Sequence, residues 1–124
     1  MATNKKETRS EEIKPIILKD KETGAPEYTL DFDLESIKFA ESRGFDPDDI
    51  SRFTYTKTME LFWYSFRMHH KSVSLEKAER ILKDDLGGMP SGMLKRLVDL
   101  YNNPYSCLVQ TEESAKNAVM TVEM

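Results

Sequence analysis

The sequence predicts a mainly α domain of four to five helices with an N-terminal β-hairpin packed on them, an α+β arrangement. Three observations carry that reading. The chain has 124 residues, 39% hydrophobic and 32% charged, a balance that suits one small globular domain with polar ends. Its densest apolar run, MELFWYSFRM from Met59 to Met68, has helical periodicity. Upstream, Tyr28, Leu30 and Phe32 alternate with Thr29, Asp31 and Asp33, the period of a half-buried strand. The expected organisation is a flexible arm over residues 1–12, a single domain over 13–109 and a flexible tail over 110–124.

Residues 1–12 are charged and lack apolar periodicity, so ordering them would cost backbone entropy with no burial to offset it. From Lys14, KPIILKD and YTLDFD flank the turn-rich KETGAPE, with Gly24 and Pro26 as turn residues. Ile16 and Leu18 can then share a face with the Tyr28, Leu30, Phe32 row. An isolated hairpin is marginal in water, so this face needs helices against it.

Asp33 reads as the N-cap of a helix from Leu34 to about Arg43, with Glu35 in its first turn, Gly44 ending it, and Leu34, Ile37 and Ala40 as its stripe. Asp46, Pro47, Asp48 and Asp49 form a second start signal, since proline fits the first helical position and carboxylates favour the positive helix end. The segment that opens there either runs unbroken through Ile50 and Phe53 into the central helix or is kinked at the weak helix formers Phe53 to Thr56, and the central helix is placed at about Thr54 to His70. Ser74 opens an amphipathic helix over Leu75 to Leu86, with Leu75, Ala78, Leu82 and Leu86 on one side and Gly87 and Gly88 ending it. Met89 to Gly92 is a connector. A last helix, about Ser91 to Asn102, carries Met93, Leu94, Leu97, Val98, Leu100 and Tyr101, and Pro104 stops it. Beyond Val109 there is little to bury, which suits a flexible tail or a frayed helix.

The central helix has two apolar faces. At about 100° per residue, Tyr55, Met59, Phe62, Trp63, Phe66 and His70 fall on one side, with Leu61, Tyr64 and Met68 almost opposite. Trp63 and Phe66 are expected inside. The Leu61, Tyr64, Met68 strip either packs under the hairpin or the last helix, or forms an exposed partner-binding surface for an apolar helix of another protein.

Composition narrows the functional classes. A net charge of −4 argues against binding bare nucleic acid or an anionic membrane through bulk charge. No apolar run approaches the roughly 20 residues of a membrane span. The single Cys107 cannot form an internal disulfide and suits a reducing cytoplasm. His69 and His70 are adjacent, so on a helix they point about 100° apart and complete no metal set. Asp46, Asp48 and Asp49 lack the glycine and terminal glutamate of a calcium loop, and capping explains them. LGGMPSGM has no preceding strand and no lysine at the place a phosphate loop needs, and Cys107 has no local feature to activate it. No catalytic, cofactor or metal residue is therefore expected, and the chain reads as a binding protein rather than an enzyme. Lys95 and Arg96 on the last helix leave a helical DNA-binding regulator as an alternative, disfavoured by the long turn before that helix.

The order of features resembles one family. A short N-terminal hairpin, then ELFWYSFRMHHKSVSLEKAERILKDDLGG, then LKRLVDLYNNPYSCLV is similar to the tail assembly chaperones of long-tailed, siphovirus-type bacteriophages, over roughly Lys14 to Val109. The resemblance implies a role without cofactor: binding the apolar, helical tape-measure protein in the bacterial host cytoplasm until the tail tube polymerises around it, with no place in the mature virion. It also implies that a longer frameshift product can share this domain. A small helical adaptor that self-associates through the same apolar strip is the alternative in another class.

Overall fold

The computed structural model describes residues 13–104 and 112–124. The expected arm over 1–12, together with Cys107 and residues 105–111, lies outside the described residues. Strand β1 (Ile16–Lys19) pairs antiparallel with β2 (Pro26–Leu30) in the register Ile16 to Leu30, Ile17 to Thr29 and Leu18 to Tyr28. The Asp20 carboxylate holds the connecting turn, accepting from the backbone N–H groups of Glu22 and Thr23 at 2.8 and 3.0 Å. Those bonds also hold its carboxyl below the usual range. Gly24 supplies the positive φ, 74°, that closes the turn. The small α+β domain predicted from the pattern is the one observed.

Helix α1 (Leu34–Ser42) begins with a reciprocal capping box. The Asp33 carboxylate accepts from Ser36 N–H at 2.8 Å, and the Ser36 hydroxyl accepts from Asp33 N–H at 2.9 Å. Gly44, at φ 82°, turns the chain back so that Phe45 N–H donates to the Ala40 carbonyl and Phe45 enters the core. The Asp46 and Pro47 signal opens a separate 3-10 turn, Pro47–Ser51, rather than the first turn of the central helix. Of the continuous and the kinked readings, the structure shows the break near Phe53, and α2 (Thr54–Tyr64) starts after it.

Helix α2 is shorter than the predicted span, which ran to about His70. After Tyr64 the chain follows tighter i to i+3 turns, Phe66 N–H to Trp63 and Arg67 N–H to Tyr64, both at 3.0 Å. Two contacts of Ser65 end the helix. Its hydroxyl donates to the Phe62 carbonyl, and its own carbonyl accepts Asp31 N–H from the chain after β2 at 3.0 Å. A carbonyl spent on the hairpin is lost to the helical ladder.

Helix α3 (Leu75–Arg80), capped by Ser74 as expected, widens into a π-helical turn over Ile81–Asp85. Leu86 N–H reaches back five residues to Ile81, and Gly88 N–H caps Leu82, each at 2.8 Å. Helix α4 is Met93–Asn102. Helix α5 (Glu112–Asn117) and residues 118–124 after it have no buried residue.

The core explains why α2 tolerates two apolar faces. On one side, Phe62 meets Phe66 at 5.1 Å between ring centroids, and Phe66 meets Tyr28 of β2 at 5.3 Å, both edge-on. On the other, Tyr64 packs on Phe39 of α1 at 5.9 Å and on Phe45 at 5.2 Å. Phe45 in turn meets Tyr101 of α4, which meets Phe32. Phe66 is fully buried as predicted, whereas Trp63 is only half-buried. Its indole N–H donates to the Val73 carbonyl at 2.9 Å and Arg43 stacks over its ring, so one edge of the indole stays near water.

A candidate groove at the hairpin edge

The predicted partner-binding strip is not a surface. Leu61 is 0% and Tyr64 2% exposed, and both belong to the core cluster. Burial raises the Tyr64 phenol above its ordinary value, against the opposing hydrogen bond from Arg43. Met68 is half-buried in a different place, a polar cleft shared with Asp33, Lys38, Phe39, Arg67 and Lys71. The three residues therefore do not form one contact surface. The exposed reading required the second face of α2 to lack cover, and α1, Phe45 and α4 supply that cover.

His70, read from sequence as a helix-end residue, has a definite structural partner. Its Nε2 accepts the backbone N–H of Thr29 in β2 at 2.9 Å, and its ring stands edge-on to Tyr28. Accepting requires the neutral ring, and burial with the neighbouring His69 lowers its pKa from 6.5. An unfolded imidazole takes up its proton around the ordinary value, whereas the folded one resists. This contribution to stability is thus complete above about pH 6.5 and is lost as pH falls toward the depressed folded value. Asp31 acts with the opposite sign in a more acidic window. Burial raises its carboxyl, so its contribution is present at low pH and disappears as pH rises through the raised value. The thermal midpoint should fall between pH 7 and 5.5. His70→Gln, which keeps an acceptor but cannot titrate, should flatten that slope, and an equally steep slope in the variant would show that another group drives it.

The bond to His70 also fixes which edge of the hairpin is open. Thr29 N–H points away from β1, and Asp31 N–H, two residues on, points the same way to Ser65. The outer edge of β2 is therefore covered. In an antiparallel ladder, a residue whose N–H points outward sits in a non-hydrogen-bonded pair, and its partner also points outward. Ile17, paired with Thr29, thus turns its N–H and C=O away from β2, and its side chain is 40% exposed.

Beside that free edge lies a mostly apolar groove of about 440 Å³. Ile16, Ile17, Leu18 and Lys19 form one wall; Leu86, Pro90, Met93 and Arg96 stand on the other. The glycines that read as helix punctuation shape it: Gly87, Gly88 and Gly92 all have positive φ and fold the connector back toward β1. Arg96 pins one end, its guanidinium donating to the Lys14 carbonyl at 2.7 and 3.2 Å. The sequence carried one signal for this site. Ile16, Ile17 and Leu18 are three consecutive apolar residues, where strict alternation would place a polar side chain at 17.

The other candidates are accounted for structurally. Asp46 caps the 3-10 turn by accepting Asp48 N–H at 2.9 Å. Lys95 pairs with Asp99 at 2.9 Å and Arg96 is engaged by Lys14, so both cations that a DNA-reading α4 would use have partners within the fold. Phe53 and Tyr55 are exposed, yet Arg52 lies over the first ring, Lys83 over the second, and the Tyr55 hydroxyl donates to Glu79. No helix among the described residues is long and apolar enough to cross a membrane.

No curated protein and no solved structure matches this chain. One family model does, along residues 1–124, and the chain accordingly belongs to the family described as a domain of unknown function, DUF5055.

Proposed function

We propose that this chain is a tail assembly chaperone of a long-tailed bacteriophage, a non-enzymatic protein that keeps the apolar, helical tape-measure protein soluble in the host cytoplasm during tail morphogenesis. The sequence resemblance over Lys14 to Val109 motivates the reading. The observation that carries it is the open apolar groove between β1 and the Leu86 to Arg96 segment. A client helix would lay side chains spaced three and four residues apart into that groove. Each buried anchor contributes on the order of 1–2 kcal/mol, so one site binds weakly and many copies along a long client hold it together. Weak individual sites also allow the polymerising tail tube to displace them.

Coexpression with a tape-measure protein tests this. Wild-type chain should raise the soluble yield of the client severalfold. Ile17→Glu places a charge at the groove wall, on a side chain that is already partly exposed, and should remove most of the gain while the thermal midpoint changes little. Capture should survive moderate salt, because burial rather than charge supplies the binding energy. A client that stays insoluble with the wild-type chain defeats the chaperone reading. A folded Ile17→Glu chain that solubilises it fully defeats the groove assignment.

A further inference from the structure

We propose that, without client, the free edge of β1 takes up the segment Met120–Met124 of a second copy as an added strand, so that copies associate head to tail. This rests on the groove reading above but assigns the groove a different occupant. The segment has the residue pattern of a strand but no sheet to join. Met120, Val122 and Met124 alternate with Thr121 and Glu123, giving one apolar face at period two, and the stretch belongs to no helix or strand of the structure. Val119, Met120, Val122 and Met124 are each at least 80% exposed, so nothing among the described residues of the same chain covers them. That places the receiving surface on another copy.

The receiving surface is a sheet without its next strand. Ile17 offers an outward N–H and C=O, whereas β2 has spent its outer edge on His70 and Ser65. Main-chain bonding along that edge would set the register, and the groove would accept the Met120, Val122, Met124 row. Charge favours the pairing. Lys19 and Arg96 line the groove, while residues 112–124 carry Glu112, Glu113 and Glu123 against the single Lys116. An uncovered apolar strand edge invites aggregation, and a segment of the protein's own sequence would occupy it until client arrives. The contact is heterologous, joining two different patches, so it propagates rather than closing as a symmetric dimer.

Sedimentation velocity of the full-length chain over a concentration series tests the proposal. The wild-type chain should associate progressively. A tail variant, Met120→Asp with Val122→Asp, alters only exposed side chains, so it should fold as wild type and associate at least tenfold more weakly. Ile17→Glu should do the same from the groove side. Mixing the two variants should restore association and stop it at the dimer, since each retains one half of the contact. A wild-type chain that stays monomeric through millimolar concentration would overturn the proposal, as would a tail variant that associates like wild type. A mixture that fails to recover, with both variants folded, would also overturn it, as would an Ile17→Glu chain that associates like wild type, the result a symmetric tail-to-tail contact predicts.

Client coexpression separates this proposal from the chaperone reading. The tail variant leaves the groove free and should solubilise the tape-measure protein at least as well as wild type. Groove-mapped association without client capture would leave the present proposal standing and remove the chaperone. Client capture by a chain that never associates would do the reverse.

Discussion

Phe66→Ala should lower the stability of the domain by about 3–5 kcal/mol, as large aromatic truncations in cores do. Phe66 is 0% exposed and stands edge-on to both Phe62 and Tyr28, so it joins α2 to β2. Removing the ring leaves a cavity between hairpin and helix that neither can close alone. The hairpin has only two strands and depends on this contact for its burial. The loss should therefore extend to the Thr29 bond with His70, and amide exchange at Thr29 should accelerate along with that of the core. Chemical denaturation gives the magnitude. A loss below about 1 kcal/mol would mean that the site collapses around the missing ring and that the hairpin is held elsewhere. Trp63→Ala should cost less than Phe66→Ala, because the half-buried indole already has an edge near solvent.

Tyr64→Ser and Met68→Ser should separate by several kcal/mol, although both positions belong to the same sequence-predicted strip. Tyr64 is 2% exposed, packed on Phe39 and Phe45, and its truncation should cost on the order of 3–5 kcal/mol. Met68 is half-buried at an open cleft lined largely by polar side chains, and its loss should cost about 1 kcal/mol or less. Thermal or denaturant unfolding of the two single variants reads the difference directly. Equal, small effects would put Tyr64 back at a surface and restore the strip as a binding face. The predicted outcome also constrains functional experiments: a Tyr64 variant that fails to hold a client would do so by unfolding, so it reports nothing about a groove.

What the sequence determined by itself lies within a turn or two of the residue that signals it. Asp33 and Ser74 cap the helices they were expected to cap, Gly44 ends α1, and the alternation of Tyr28 and Leu30 against Ile16 and Leu18 fixes the hairpin register. Capping, left-handed turns and side-chain period are properties of neighbouring residues, so they are legible without knowing the fold. Tertiary structure decided where α2 stops, because the carbonyl of Ser65 bonds a backbone N–H from the end of the hairpin. It also decided that Leu61 and Tyr64 are core rather than surface. Periodicity shows that a face is apolar, but only the arrival of α1, Phe45 and α4 shows that the face is covered. The groove depends on the same kind of information. His70, forty-one residues along the chain from Thr29, covers the β2 edge and so leaves the β1 edge at Ile17 as the one to be used, and no local pattern encodes a contact across that distance.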